Sequence, residues 1–190
     1  PHLKAPVVLG LSMHARLTVT GEAEGGFLRT ADDGWIWAGH VSPIDKAERD
    51  FVSVAERFLG APYLWGGRTS DGIDCSGLVQ AALAAAGVAA PRDSDMQMTA
   101  LGQEVLSGGG LADAPSLMRG DLVFWRGHVG IMLDPQRLLH ANAWHMATEI
   151  EPLAEAVERI RPVAGDVLSV RRLGLGRTPS ASAAGSASTR

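Results

Sequence analysis

The chain has 190 residues, 46% of them apolar, which suits one ordinary domain with an appendage and leaves enough apolar surface to build a core. Its 17 Lys and Arg against 21 Asp and Glu give a net charge of −4 with both signs interspersed, so nothing advertises a nucleic-acid or membrane surface. A single cysteine excludes an internal disulfide, and no apolar run reaches the roughly 18 residues that a membrane-spanning helix needs.

Residues 1–43 read as β structure. Arg16 to Thr20 alternates, Gly25-Gly26 and Asp32-Asp33-Gly34 are turn signals, and Trp35 to Ala38 is a short aromatic strand. After Pro43 the period becomes helical, with Ala47, Phe51, Val54, Ala55, Phe58 and Leu59 on one face, Asp45 as the expected cap, and Gly60 and Pro62 as the stop. A Gly- and Asp-rich loop then runs into a second helix over Leu78, Val79, Ala82, Leu83 and Ala86, ended by Gly87. Residues 91–95 break that pattern, Met96 to Val105 resumes a weak helical one, and Ser107 to Pro115 is a loop. From Asp121 the reading is β: Asp121 to Trp125, His128 to Leu133, a turn at residues 134–137, Leu138 to Ala143, and Ala147 to Ile150. Pro152 opens a short helix through Ile160, Val167 to Leu173 is a last strand, and residues 174–190 offer no apolar surface and read as a disordered tail.

The only cysteine, Cys75, falls at the start of the second helix, with Asp74 as its N-cap. Exposed amides and the positive end of the helix dipole there favour a thiolate, and pairing with a histidine cation lowers a thiol pKa further. Of six histidines, His2, His14 and His40 lie in the appendage, whereas His128 and His140 lie on neighbouring predicted strands and His145 just beyond. If residue 132 pairs with 138, His140 faces residue 130, which shares a strand face with His128, and the two imidazoles are neighbours. A register one residue off sends them to opposite faces. The even register therefore makes His128 the base for Cys75 and His140 the group that holds its other nitrogen. Each residue alone has an ordinary structural explanation, and His145 fits one best.

The segments PYLWGG, DCSGLVQ, PRDS, GDLVFW, GHVGIML and LLHA, in this order and spacing, resemble the NlpC-type family of papain-like cysteine peptidases that cleave bacterial cell-wall peptides. The resemblance covers residues 45–173 and implies an α+β papain-like fold, with the cysteine helix packed on a mainly antiparallel sheet. It implies Cys75 as nucleophile, His128 as base and His140 as the third polar residue. Tyr63 would line the active site near the oxyanion, and Asp93 and Ser94 would bind the N-terminal amine of the substrate; that pair serves equally as a helix cap. Arg119 departs from the family's common proline. The Leu17–Val41 stretch resembles the closing strands of a bacterial SH3-like barrel, though a hairpin packed on the main domain would serve the same residues.

The implied activity is endopeptidase cleavage of murein peptides at the γ-D-glutamyl–diamino acid bond, with no cofactor and no metal, since no HExxH or paired-thiol spacing occurs. The same residues would equally serve an amidase or acyl transferase, and a non-catalytic wall-binding module is the alternative from another class. Starting at Pro1, the chain is expected to lack an upstream segment, and compartment, envelope or cytoplasm, stays open, as does oligomeric state.

Overall fold

The computed structural model describes residues 1–108, 111 and 116–174. Strands β1 (Val19–Glu24), β2 (Phe27–Thr30) and β3 (Trp35–Trp37) form an antiparallel sheet of their own, turning at Gly25 and Gly26, whose φ values of 56° and 85° suit glycine. No residue of this sheet is buried, and among the described residues it does not close into a barrel. The preceding arm is tied to the main domain by Met13, which packs on the core, and by His14 Nε2, 2.7 Å from the carbonyl of Ala81.

The remaining elements are α1 (Phe51–Glu56), the short β4 (Arg68–Thr69) and β5 (Gly72–Ile73), α2 (Cys75–Ala85), α3 (Ser94–Ala100), β6 (Gln103–Ser107), β7 (Asp121–Trp125), β8 (His128–Met132), β9 (Arg137–Asn142), β10 (Ala147–Pro152), α4 (Leu153–Ala164) and β11 (Ser169–Arg172). Six of the strands make one antiparallel sheet in the order β10-β9-β8-β7-β11-β6. β7 is buried along its whole length because both faces are covered. Leu122 and Phe124 point with Val129, Ile131 and Leu139 toward α1 and α2, whereas Val123 and Trp125 point with Met132, Leu138 and Val170 toward α4. Each such side chain stabilises the fold by about 1.5–3 kcal/mol on burial. This is the α+β arrangement that the resemblance implies, and among the described residues no helix is long and apolar enough to cross a membrane.

Three expectations change. The first helix starts at Phe51, not at residue 47, because the Asp50 carboxylate takes the Val52 amide at 3.0 Å and the Ser53 hydroxyl at 2.6 Å and so caps in place of Asp45. The weak helix expected over Met96–Val105 holds only as far as Ala100: Gly102, at φ 56°, turns the chain so that β6 pairs with β11 at the sheet edge. The fourth helix runs on to Ala164, with Pro162 within it. Arg119 joins its loop to α1 through Asp50 at 2.9 Å and Glu56 at 2.8 Å, a tie that proline could not supply. The tail expected at residues 174–190 lies outside the described residues apart from Gly174.

Candidate active site

Asp74 is the N-cap of α2. Its carboxylate accepts the amides of Gly77 and Gly66, both at 2.7 Å, and the two nitrogens of the Arg92 fork at 2.9 and 2.6 Å. Burial works against the charge of Asp74, but the Arg92 hydrogen bonds and the two amides more than offset it and hold the carboxyl below its ordinary range. Gly77 is required here, because a Cβ would sit 2.3 Å from the carbonyl oxygen of Gly67. The loop, the helix start and Arg92 of the PRDS segment thus fix one another, and together they fix Cys75.

Cys75 is 8% exposed, and the backbone amide of Val129, the residue after His128 on β8, lies near enough to favour its charged form. No hydrogen bond joins the thiol directly to His128 among the described residues. Burial pushes the thiol pKa up, the negative charge of Asp74 adds to that, and the Val129 and helix-start amides offset only part of it. At this depth desolvation opposes the thiolate that the helix end favours.

The register of β8 and β9 is the even one, with Ile131 opposite Leu139 and Met132 opposite Leu138. His128 Nε2 lies 2.8 Å from His140 Nδ1, as that register predicts. Beyond it, His140 Nε2 lies 2.6 Å from Glu151 Oε1, and Arg159 of α4 also bonds that oxygen. The chain of donors has one direction. Burial works to raise the Glu151 carboxyl, but the His140 hydrogen bond and the Arg159 charge hold it below its ordinary range, so it is ionised and can only accept. His140 must then carry its proton on Nε2 and accept on Nδ1; His128 must donate from Nε2, which leaves its Nδ1 lone pair free. Burial first, then the neighbouring His140 and Arg159, push His128 down to about 3, and His140 is likewise lowered by burial despite Glu151. Both rings are neutral, and His128 Nδ1 is a vacant proton acceptor on the strand packed against the cysteine helix.

Tyr63 sits close enough for Cys75 and Asp74 to act on it electrostatically, and burial, before those charges, raises its hydroxyl pKa, so it stays a donor. Its backbone amide bonds Met146, and it bridges to Ile73 beside the cysteine loop. Asp93 occupies the N-cap position of α3 but makes no side-chain capping bond, so the cap reading of Asp93-Ser94 has no support in its hydrogen bonds. The pair stands at the outer end of the Arg92 loop, with Asp93 exposed and Ser94 half-buried. His145 is exposed, its backbone amide 2.9 Å from Asn142 Oδ1. Glu151, Arg159 and Arg92 escaped the sequence reading. A second application of the register argument would have found Glu151, because Glu149 faces His140 and residue 151 shares its strand face.

Residues 60–167 match the NlpC/P60 family. The γ-D-glutamyl-L-lysine dipeptidyl-peptidase of Bacillus subtilis is 32% identical over 148 residues, which cover 74% of this chain and 45% of that protein, so the chain spans less than half of the relative's length. An NlpC/P60 family protein from Bacillus cereus shares the fold with a TM-score of 0.66 at 23% identity, over 85% of this chain and 55% of the other. The peptidoglycan hydrolase RipB from Mycobacterium tuberculosis aligns with a TM-score of 0.50 at 30% identity, over 65% of this chain and 62% of the other. With more than half of its length matched, and with the cysteine helix and histidine strands folded as described, the chain belongs to the NlpC/P60 family.

Proposed function

We propose that this chain is a cysteine endopeptidase that hydrolyses murein peptides at the γ-D-glutamyl–diamino acid bond. The observation that carries the reading is the one-directional relay from Glu151 through His140 to His128, which ends in a free imidazole nitrogen on the strand packed against the helix that carries the only thiol. A relative named for γ-D-glutamyl-L-lysine bonds and another described as a peptidoglycan hydrolase support the substrate class.

In this mechanism the substrate carbonyl carbon meets Cys75 Sγ while His128 Nδ1 takes the thiol proton, so charge forms only as the bond forms. The proton carried on Nδ1 then passes to the leaving amine. Water, deprotonated by the same nitrogen, releases the acyl group. The Cys75 backbone amide at the helix start and the Tyr63 hydroxyl face the developing oxyanion. Asp93 meets the substrate ammonium, and Ser94 gives it a hydrogen bond. The test is incubation with L-alanyl-γ-D-glutamyl-diamino acid peptides, free and N-acetylated, followed by mass spectrometry. Free L-alanyl-D-glutamate should appear with wild type and not with Cys75→Ala. Loss of the preference for a free amine in Asp93→Asn is expected, and an unchanged preference would remove Asp93 from the substrate site.

A further inference from the structure

His140, His145 and Glu151 each present one ligand atom, and these three atoms lie within 4.8 Å of one another. Two imidazoles and one carboxylate are a ligand set suited to zinc, with a fourth position left to water. The local bonding prepares two of the three, and His140 joins them by shifting its proton from Nε2 to Nδ1. His145 Nδ1 lies 3.1 Å from Asn142 Oδ1, an acceptor, so that nitrogen carries the proton and Nε2 presents its lone pair. His140 Nε2 and Arg159 both bond Oε1 of Glu151, which leaves the second carboxylate oxygen for a cation. Exposed His145 supplies an entry path to buried His140.

We propose that His140 Nε2, His145 Nε2 and Glu151 bind one zinc-type divalent cation, and that its occupancy turns the peptidase off. A tetrahedral zinc with bonds of about 2.0–2.1 Å holds its ligands roughly 3.4 Å apart, so from 4.8 Å the cluster closes by at most about 1.4 Å, a movement that exposed His145 can make. The Arg159 guanidinium already neutralises part of the carboxylate and opposes a second cation, so the site is tuned for reversible occupancy rather than permanent capture.

The inhibition follows from proton positions. A neutral His140 that ligates through Nε2 must carry its proton on Nδ1, and Nδ1–H then donates to His128 Nε2. His128 can accept there only if its own proton moves from Nε2 to Nδ1. Each ring keeps one proton and no net proton is gained or lost, but the nitrogen that would receive the thiol proton is now occupied. The cation therefore disables the base without touching Cys75. This consequence rests on His128 being the base; the binding site does not.

The experiment separates the two. In Cys75→Ala protein, Co2+ titration followed by visible absorbance should show one tetrahedral Co2+ bound at micromolar concentration, without a thiolate charge-transfer band. His145→Ala in that background should weaken binding at least tenfold. In the active enzyme, the Zn2+ concentration for half-inhibition of murein peptide hydrolysis should rise at least tenfold in His145→Ala, whose metal-free rate stays near wild type. Absence of Co2+ binding in Cys75→Ala, or half-inhibition of His145→Ala at the wild-type Zn2+ concentration, overturns the proposal; the second result would place the inhibitory metal on the thiol. If metal-free wild type hydrolyses no murein peptide, the proposed function fails instead, and the Co2+ titration still decides the site.

Discussion

Replacing Glu151 by glutamine keeps the shape of the side chain but removes the charge that gives the histidine relay its direction. A hydrogen bond to a charged acceptor contributes about 1.5–3 kcal/mol against about 0.5–1.5 for a neutral one, so the His140 bond weakens by about 1 kcal/mol. The transition state loses more, because His128 becomes a cation there. Ring centroids 5.0 Å apart and a further 2.6 Å bond place that cation roughly 7–8 Å from the carboxylate, worth about 2 kcal/mol at an effective dielectric of 20. Arg159, left without its partner, repels the same cation. The sum of about 3 kcal/mol corresponds to a roughly hundredfold fall in kcat. KM should change by less than about twofold, because in this account Glu151 acts only through His140. The assay is steady-state hydrolysis of a γ-D-glutamyl-diamino acid peptide, with a thermal melt to confirm folding and Glu151→Asp to test partial rescue. A folded Glu151→Gln enzyme with kcat within fivefold of wild type refutes the relay.

Four further outcomes follow from the same geometry. Gly77→Ala would gain about 1 kcal/mol from helix propensity at an open site, but the 2.3 Å approach to Gly67 O reverses the sign, and a net loss of about 1–3 kcal/mol should appear in urea unfolding. Arg92→Ala leaves the buried Asp74 charge with amides alone and should cost about 2 kcal/mol at pH 7, less than a fully buried pair because Arg92 is partly exposed. Because the Asp74 pKa is lowered on folding, its contribution is present above about pH 4 and is lost as pH falls through the folded value. The Arg92→Ala protein should therefore lose stability less steeply than wild type between about pH 4 and pH 2. Finally, iodoacetamide alkylation of the substrate-free enzyme, followed by mass spectrometry, should reach half its maximum rate above the pH of about 8.5 typical of a free cysteine, since burial raises the thiol. A plateau already reached below pH 7 would show a preformed thiolate–imidazolium pair.

Much of the site could be read from the sequence because it rests on short-range rules. The Asp74-Cys75 helix start follows from capping chemistry, and the His128–His140 contact follows from strand parity once the turn is placed. Glu151 needed one more step of register across residues 143–146, where Met146 takes a φ of 53° that its residue type does not announce. Arg92 was hidden differently: its partner lies 18 residues earlier, and only the folded loop brings the guanidinium fork onto Asp74. The first helix was misplaced because Asp45 and Asp50 are equally good caps in sequence, and the contact of Arg119 with Asp50 and Glu56 is a tertiary choice. The depth at which the thiol sits was hidden for a related reason. Helix ends and histidine partners are visible in sequence, whereas the burial that opposes them is a property of the assembled core.

The central claim is that Cys75 attacks a murein peptide and that His128 Nδ1 takes its proton. Mass spectrometry of wild type, Cys75→Ala and His128→Ala, each incubated with L-alanyl-γ-D-glutamyl-diamino acid peptide and quenched in acid, tests it most directly. The account predicts released L-alanyl-D-glutamate and an acyl adduct on Cys75 in wild type, and neither in the two variants. Cleavage that persists in Cys75→Ala, or an intact peptide in the presence of folded wild type, would contradict it.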